Sequence, residues 1–155
     1  REIRAFDEAW AENMPAEDRQ FRVLLDPASS RLRVLYAEDD PSLARARIEY
    51  LGERGFEVDW VADGRACAAA LRSRDYDVVV LDLGLPGMDG MKVLHVARMD
   101  PEIPATPIVV LTGAEESYAA RAERMGADRV LLKPCRGRQV ARVLWDVVGA
   151  RGFSA

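Results

Sequence analysis

From Leu32 onward the chain alternates short apolar runs with stretches of helical period. Leu32–Ala37, Phe56–Val61, Asp77–Leu81, Ile108–Leu111 and Arg129–Leu132 read as strands. The third and fourth runs are almost wholly apolar, the pattern of strands buried on both faces, so they are expected at the centre. The second carries Glu57 and Asp59 and reads as an edge. Between them the pattern predicts helices over 41–54, 65–74, 90–99, 115–125 and 137–148. The first opens on Asp40 as N-cap with Pro41 at the first helical position, and Gly55 closes it. The last carries Val140, Val143, Leu144, Val147 and Val148 at i, i+3, i+4, i+7 and i+8. Strands alternating with helices give an α/β fold, (βα)5, a doubly wound parallel five-stranded sheet with helices on both faces. Right-handed crossovers leave few topologies for it.

Residues 1–31 break this rhythm and form an N-terminal extension. Ile3, Phe6 and Trp10 suit one short amphipathic helix, which Met14-Pro15 would end. Phe21–Leu25 reads as a further strand or an extended arm, followed by a Pro-Ala-Ser-Ser linker. Two readings stay open: a segment packed or frayed on its own domain, or a partner-binding arm or tail of an upstream domain. The expected division is extension 1–31, α/β domain 32–150 and tail 151–155.

Composition narrows the class. A chain of 155 residues is about one domain, and 49% hydrophobic with 31% charged residues is ordinary globular usage. A net charge of −4 carries no basic footprint, so direct nucleic-acid binding is not expected. No apolar run reaches membrane-spanning length, and the charged start lacks a secretory core. Cys67 and Cys135 show no metal spacing, so a reducing, cytoplasmic setting is expected. The chain starts with Arg1 rather than Met, as a fragment or processed chain would. Only seven residues follow Val148, so no output domain is expected after it; the chain reads as stand-alone or as a larger protein's C-terminal piece. Of 22 basic residues, 20 are Arg, leaving Lys92 and Lys133 as the only lysines.

In open α/β sheets, ligands sit beyond the carboxyl ends of the strands. The first strand ends in Glu38-Asp39-Asp40, the third in Asp82, the fourth in Thr112 and the fifth in Lys133-Pro134. Clustered carboxylates repel unless a cation intervenes, and hard oxygen ligands suit Mg²⁺. A divalent ion beside a carboxylate, a lysine and a hydroxyl is also what phosphoryl transfer needs, with one carboxylate as nucleophile. Asp40 reads as a helix cap rather than a ligand. In a chain that writes its positive charge as Arg, Lys133 suggests a site wanting a compact ammonium. His95, mid-helix, reads as an ordinary surface or boundary residue, and Cys67 as a small buried apolar one. Cys135 suggests no role.

Four motifs in order then carry a resemblance. They are Val34-Leu35-Tyr36-Ala37-Glu38-Asp39-Asp40, Leu81 to Gly90, Val110-Leu111-Thr112-Gly113, and Gly126-Ala127-Asp128 leading to Lys133-Pro134. From Leu32 to Val148 the chain resembles the receiver domain of two-component response regulators. The resemblance implies the flavodoxin-like strand order 2-1-3-4-5. It implies Asp82 as phospho-acceptor from a histidine kinase or histidine phosphotransfer protein. It implies Mg²⁺ held by Asp39 and Asp82, by Glu38 through water, and by the Gly84 carbonyl. Thr112 and Lys133 would bind the phosphoryl group. Such a protein is a signalling switch that acts only on its own Asp, not a metabolic enzyme.

Some positions depart from the family pattern. The residue three before the Lys, often aromatic and mobile, is Val130, whose β-branched side chain has little room to swing. Cys135 stands where Phe is frequent. Gly84 and Ala114 are both small, so nothing is expected to shield the phosphoryl group from water. Trp145 lies off the apolar stripe of the last helix, and Val143 adds to an apolar surface. The face made by the fourth helix, fifth strand and fifth helix is therefore expected to bind a second copy, the N-terminal segment or a partner. Two rivals remain. One is a receiver-fold scaffold indifferent to phosphate. The other is a haloacid-dehalogenase-like phosphatase, which wants an acid two residues after Asp82, where Gly84 stands.

Overall fold

The computed structural model describes residues 31–113 and 116–152. The extension's expected helix and arm, and Ala114, lie outside the described residues. Strands are β1 (Leu32–Ala37), β2 (Phe56–Val61), β3 (Val78–Asp82), β4 (Ile108–Thr112) and β5 (Arg129–Leu132). Helices are α1 (Pro41–Gly52), α2 (Gly64–Ser73), α3 (Gly90–Met99), α4 (Glu116–Arg124) and α5 (Gly137–Gly152). The five strands form one parallel sheet of order β2-β1-β3-β4-β5. As the pattern predicts, β2 is an edge, while every residue of β3 and β4 is buried. Most boundaries shift by a residue or two, while α5 runs to Gly152, four residues past the expected helix end at Val148.

Alternate strand residues feed two cores, as a pleated sheet requires. Val34, Tyr36, Val80 and Leu111 pack on one face with Ala44 and Leu51 of α1 and Leu144 of α5. Leu35, Val79, Leu81 and Val110 pack on the other face with Cys67, Val93 and Leu94 of α2 and α3. Acid caps begin the helices at the site end of the sheet. Asp40 Oδ1 accepts from the Ser42 and Leu43 amides at 2.9 and 3.2 Å, so Asp40 is the cap expected of it. Asp63 and Asp89 cap α2 and α3 in the same way.

The expectation for Trp145 is wrong. It is 3% exposed, and its ring packs on Phe56 with centroids 4.9 Å apart. The reason is width. α5 lies against the sheet and against α1, so Ala141 and Trp145 are buried along with Val140, Leu144 and Val148. The broader apolar arc of a core-facing helix takes in Trp145, while Val143 is only half-buried. Trp145 therefore offers no side chain for an exterior docking face.

Candidate functional site

The carboxyl ends of β1, β3, β4 and β5 meet at one edge of the sheet. Glu38 and Asp39 follow β1, and Asp82 is the last residue of the central strand. One carboxylate oxygen from each of these three acids lies within 4.8 Å of the others. Glu38 and Asp82 are 2% and 3% exposed, whereas Asp39 is open to solvent. Two buried carboxylates and one exposed one on a single acidic pocket are a donor set of hard oxygens that fits Mg²⁺ with retained waters.

Asp82 is held from two sides. Lys133 Nζ pairs with its Oδ2, and the Gly84 amide donates to its Oδ1 at 2.8 Å. Lys133 is placed by β5: its amide donates to the Thr112 carbonyl at 2.8 Å, which sets the end of β5 beside the end of β4. Thr112 itself is 4% exposed. The Lys133–Pro134 peptide is cis. Behind Asp82 the segment 83–89 folds back on the domain, with the Gly90 amide bonded to the Leu83 carbonyl at 3.3 Å and the Gly64 amide to Pro86 at 3.1 Å. Both glycines are needed for that approach. A Cβ on Gly64 would stand 1.8 Å from the Met88 carbonyl oxygen, and one on Gly90 would stand 2.5 Å from Leu83 Cα.

The setting of Glu38 perturbs its carboxyl. Burial pushes its pKa up, and the Asp82 charge adds to this; the Asp40 amide at 3.2 Å and Lys133 work the other way. Its backbone is fixed as well: the Glu38 amide donates to Val61, and the Trp60 indole donates to the Glu38 carbonyl at 2.7 Å.

The expected site residues Glu38, Asp39, Asp82, Gly84, Thr112 and Lys133 thus gather at one end of the sheet. Val130 sits half-buried in β5 and packs on the second core. His95 is exposed on α3. Cys67 is buried, and burial pushes its thiol up to about 12. The sequence reading missed Arg47, Tyr36 and Trp60. Arg47 is 5% exposed within α1 and donates to the Tyr36 hydroxyl at 3.1 Å and to the Cys135 carbonyl at 2.7 Å. The available signal was positional: Arg47 falls at i+3 from Ala44 and i−4 from Leu51, on the helix's buried stripe.

Among the described residues, no helix is long and apolar enough to cross a membrane. Comparison with known proteins places these features in context. The Response regulator receiver domain model matches residues 34–144. The transcriptional regulatory protein TcrA of Mycobacterium tuberculosis is 43% identical over 107 residues, covering 68% of this chain and 41% of TcrA. The chain spans about half the length, or less, of such curated relatives, 54% of QseB from Haemophilus influenzae. The chemotaxis response regulator CheY4 of Vibrio cholerae superposes with a TM-score of 0.71 at 28% identity, covering 76% of this chain and 99% of that one. The receiver domain of the sensor histidine kinase PA1611 of Pseudomonas aeruginosa, solved with magnesium in its active-site cleft, gives 0.67 at 26% identity, covering 78% and 99%.

Proposed function

The chain belongs to the response regulator receiver domain family, and from that premise we propose that Asp82 is its phospho-acceptor. Receivers of this family are signalling switches. The observation that carries the assignment is the setting of Asp82: it ends the central strand, pairs with Lys133, and shares its pocket with two more acids. The donor is a phosphohistidine on a histidine kinase or phosphotransfer protein.

An Asp82 carboxylate oxygen attacks phosphorus in line. The phosphorus–nitrogen bond breaks, its electron pair returns to the imidazole, and an aspartyl phosphate forms. Bound Mg²⁺ supplies charge neutralisation at the transferring group. Asp39 and Asp82 would hold it directly, Glu38 would act through water, and the Gly84 carbonyl would complete the protein's share. The magnesium in the PA1611 cleft supports this assignment. Lys133 follows the charge as it moves from the carboxylate to the phosphoryl oxygens, and Thr112 donates to the phosphoryl group. Gly84 and Ala114 are both small residues, so the phosphoryl lifetime is expected not to be unusually long. Val130 does not supply the aromatic swing used by many receivers, so the switch is read elsewhere. Extension 1–31, receiver 32–150 and a short tail remain the proposed division. Phosphorylation shifts a two-state equilibrium and so changes partner binding.

The test is labelling of the full chain with radioactive acetyl phosphate. Label that forms only with Mg²⁺, does not form when the ion is chelated beforehand, and is absent in Asp82→Asn is expected. Unlabelled parent protein, or label that survives Asp82→Asn, would sink the assignment.

A further inference from the structure

Arg47 occupies a core position. It shares the inward stripe of α1 with Ala44 and Leu51, where an apolar side chain of the same length would fill the space. Burying a guanidinium is costly unless its partners are well placed. Arg47 has such partners, and all of them lead to the acid pocket. Nη1 donates to the Tyr36 hydroxyl at 3.1 Å and lies 4.0 Å from Glu38 Oε1. The Tyr36 hydroxyl donates in turn to that same Oε1 at 3.4 Å. Nη2 donates to the Cys135 carbonyl at 2.7 Å and approaches its sulfur at 3.5 Å.

The division of labour at Glu38 is informative. Its Oε2 accepts from the Asp40 amide, a donor fixed by the main chain. Its Oε1 takes its contacts from Tyr36 and Arg47, both buried side chains. Cys135 stands two residues after Lys133, on the turn that carries the ammonium to Asp82. One guanidinium therefore ties the carboxylate at the end of β1 to the lysine turn after β5, across strands that are not neighbours in the sheet.

We infer that Arg47 is a positioning residue: it holds the Glu38 carboxylate and the Lys133 turn in one register, and so sets how tightly the pocket takes a divalent cation. The inference rests on the Mg²⁺-assisted reading above. It resembles the outer-sphere partners that orient metal ligands, whose loss weakens metal binding by about 10–100-fold.

The experiment uses the full chain with Mn²⁺ alone as probe, free ion being read by electron paramagnetic resonance and folding by circular dichroism melting. Arg47→Met keeps the length and apolar stem without the donors. It is expected to fold and to weaken Mn²⁺ binding about tenfold. Arg47→Lys restores the charge and part of the affinity. In a Glu38→Gln background, Arg47→Met is expected to cost clearly less than in the parent, because the share of its effect that passes through that carboxylate is already gone and only the link to the Lys133 turn remains. A folded Arg47→Met protein with parental Mn²⁺ affinity overturns the inference. So does an equal loss in both backgrounds, which would mark Arg47 as merely structural. Should Arg47→Met fail to fold, Tyr36→Phe removes one link while keeping the guanidinium; weaker Mn²⁺ binding supports the inference, and parental affinity overturns it. Asp82 labelling is scored separately, so a failed acceptor assignment leaves the Mn²⁺ comparison decisive for Arg47.

Discussion

Three carboxylates in one pocket repel one another, and Lys133 answers only Asp82 directly. Glu38 has Arg47 behind it at 4.0 Å. Asp39, exposed at the rim, adds negative charge that the pocket must tolerate whenever no cation is bound. A site built to take a cation is in this sense stored repulsion, a common compromise between stability and function. Asp39→Asn should therefore raise the melting midpoint without Mg²⁺, by about 2–4 °C for relief of about 1 kcal/mol. The same variant should lose the further rise that Mg²⁺ gives the parent. Calorimetry with and without Mg²⁺ checks both; an unchanged or lower ion-free midpoint contradicts the charge argument.

At the scale of elements, the edge strand β2 is secured by a second acid. Asp59 Oδ2 accepts from the Tyr76 hydroxyl at 2.7 Å, from Arg74 at 3.1 Å and from Arg33 at 3.4 Å. This joins β2 to β1 and to the α2–β3 connection. The Tyr76 hydrogen bond first, then Arg74 and Arg33, hold the Asp59 carboxyl below the usual range, although partial burial opposes them. A pKa lowered in the folded state stabilises above the unfolded value, near 3.9 for Asp, and that contribution fades as pH falls through the folded value. Asp59→Asn should thus be less stable than the parent at pH ~7, and the two should converge below pH ~4. Urea unfolding at both pH values measures the gap; a gap that persists in acid would point to packing instead of charge. Such helices and strands were largely legible in advance. The all-apolar runs at Val78–Leu81 and Ile108–Leu111 admit little except central strands, and Asp40 with Pro41 marks a helix start unambiguously. The ends of those strands then named the acids, Thr112 and Lys133. Arg47 was missed because a guanidinium reads as solvent-facing, although its spacing from Ala44 and Leu51 sets it, and not Arg45, on the buried stripe of α1. Trp145 was misjudged for another reason: helical period locates the centre of a buried arc, while its width depends on what the helix covers.

At the scale of the whole molecule, the sheet divides the interior into two cores and delivers four strand ends to one rim. Anything that moves Lys133 toward a phosphoryl group pulls on the turn that Arg47 ties to α1. The core on that face also contains Trp145 and Phe56, so the site and this interior share one packed block. The indole of Trp60, by contrast, is 40% exposed and bonded to the Glu38 carbonyl. Among the described residues there are thus two lamps of different colour, one sunk in the core and one wired to the acid rim. Emission from a buried indole is blue and follows unfolding; emission from Trp60 is redder and follows its hydrogen bond. In a chain bearing Trp10→Phe and Trp145→Phe, Mg²⁺ should change the remaining fluorescence while the fold stays intact. In Trp60→Phe that response should disappear, and a response that persists there would place the ion's reporter elsewhere. Glu38 is thereby visible to light without any label, at the carbonyl it does not use for chemistry.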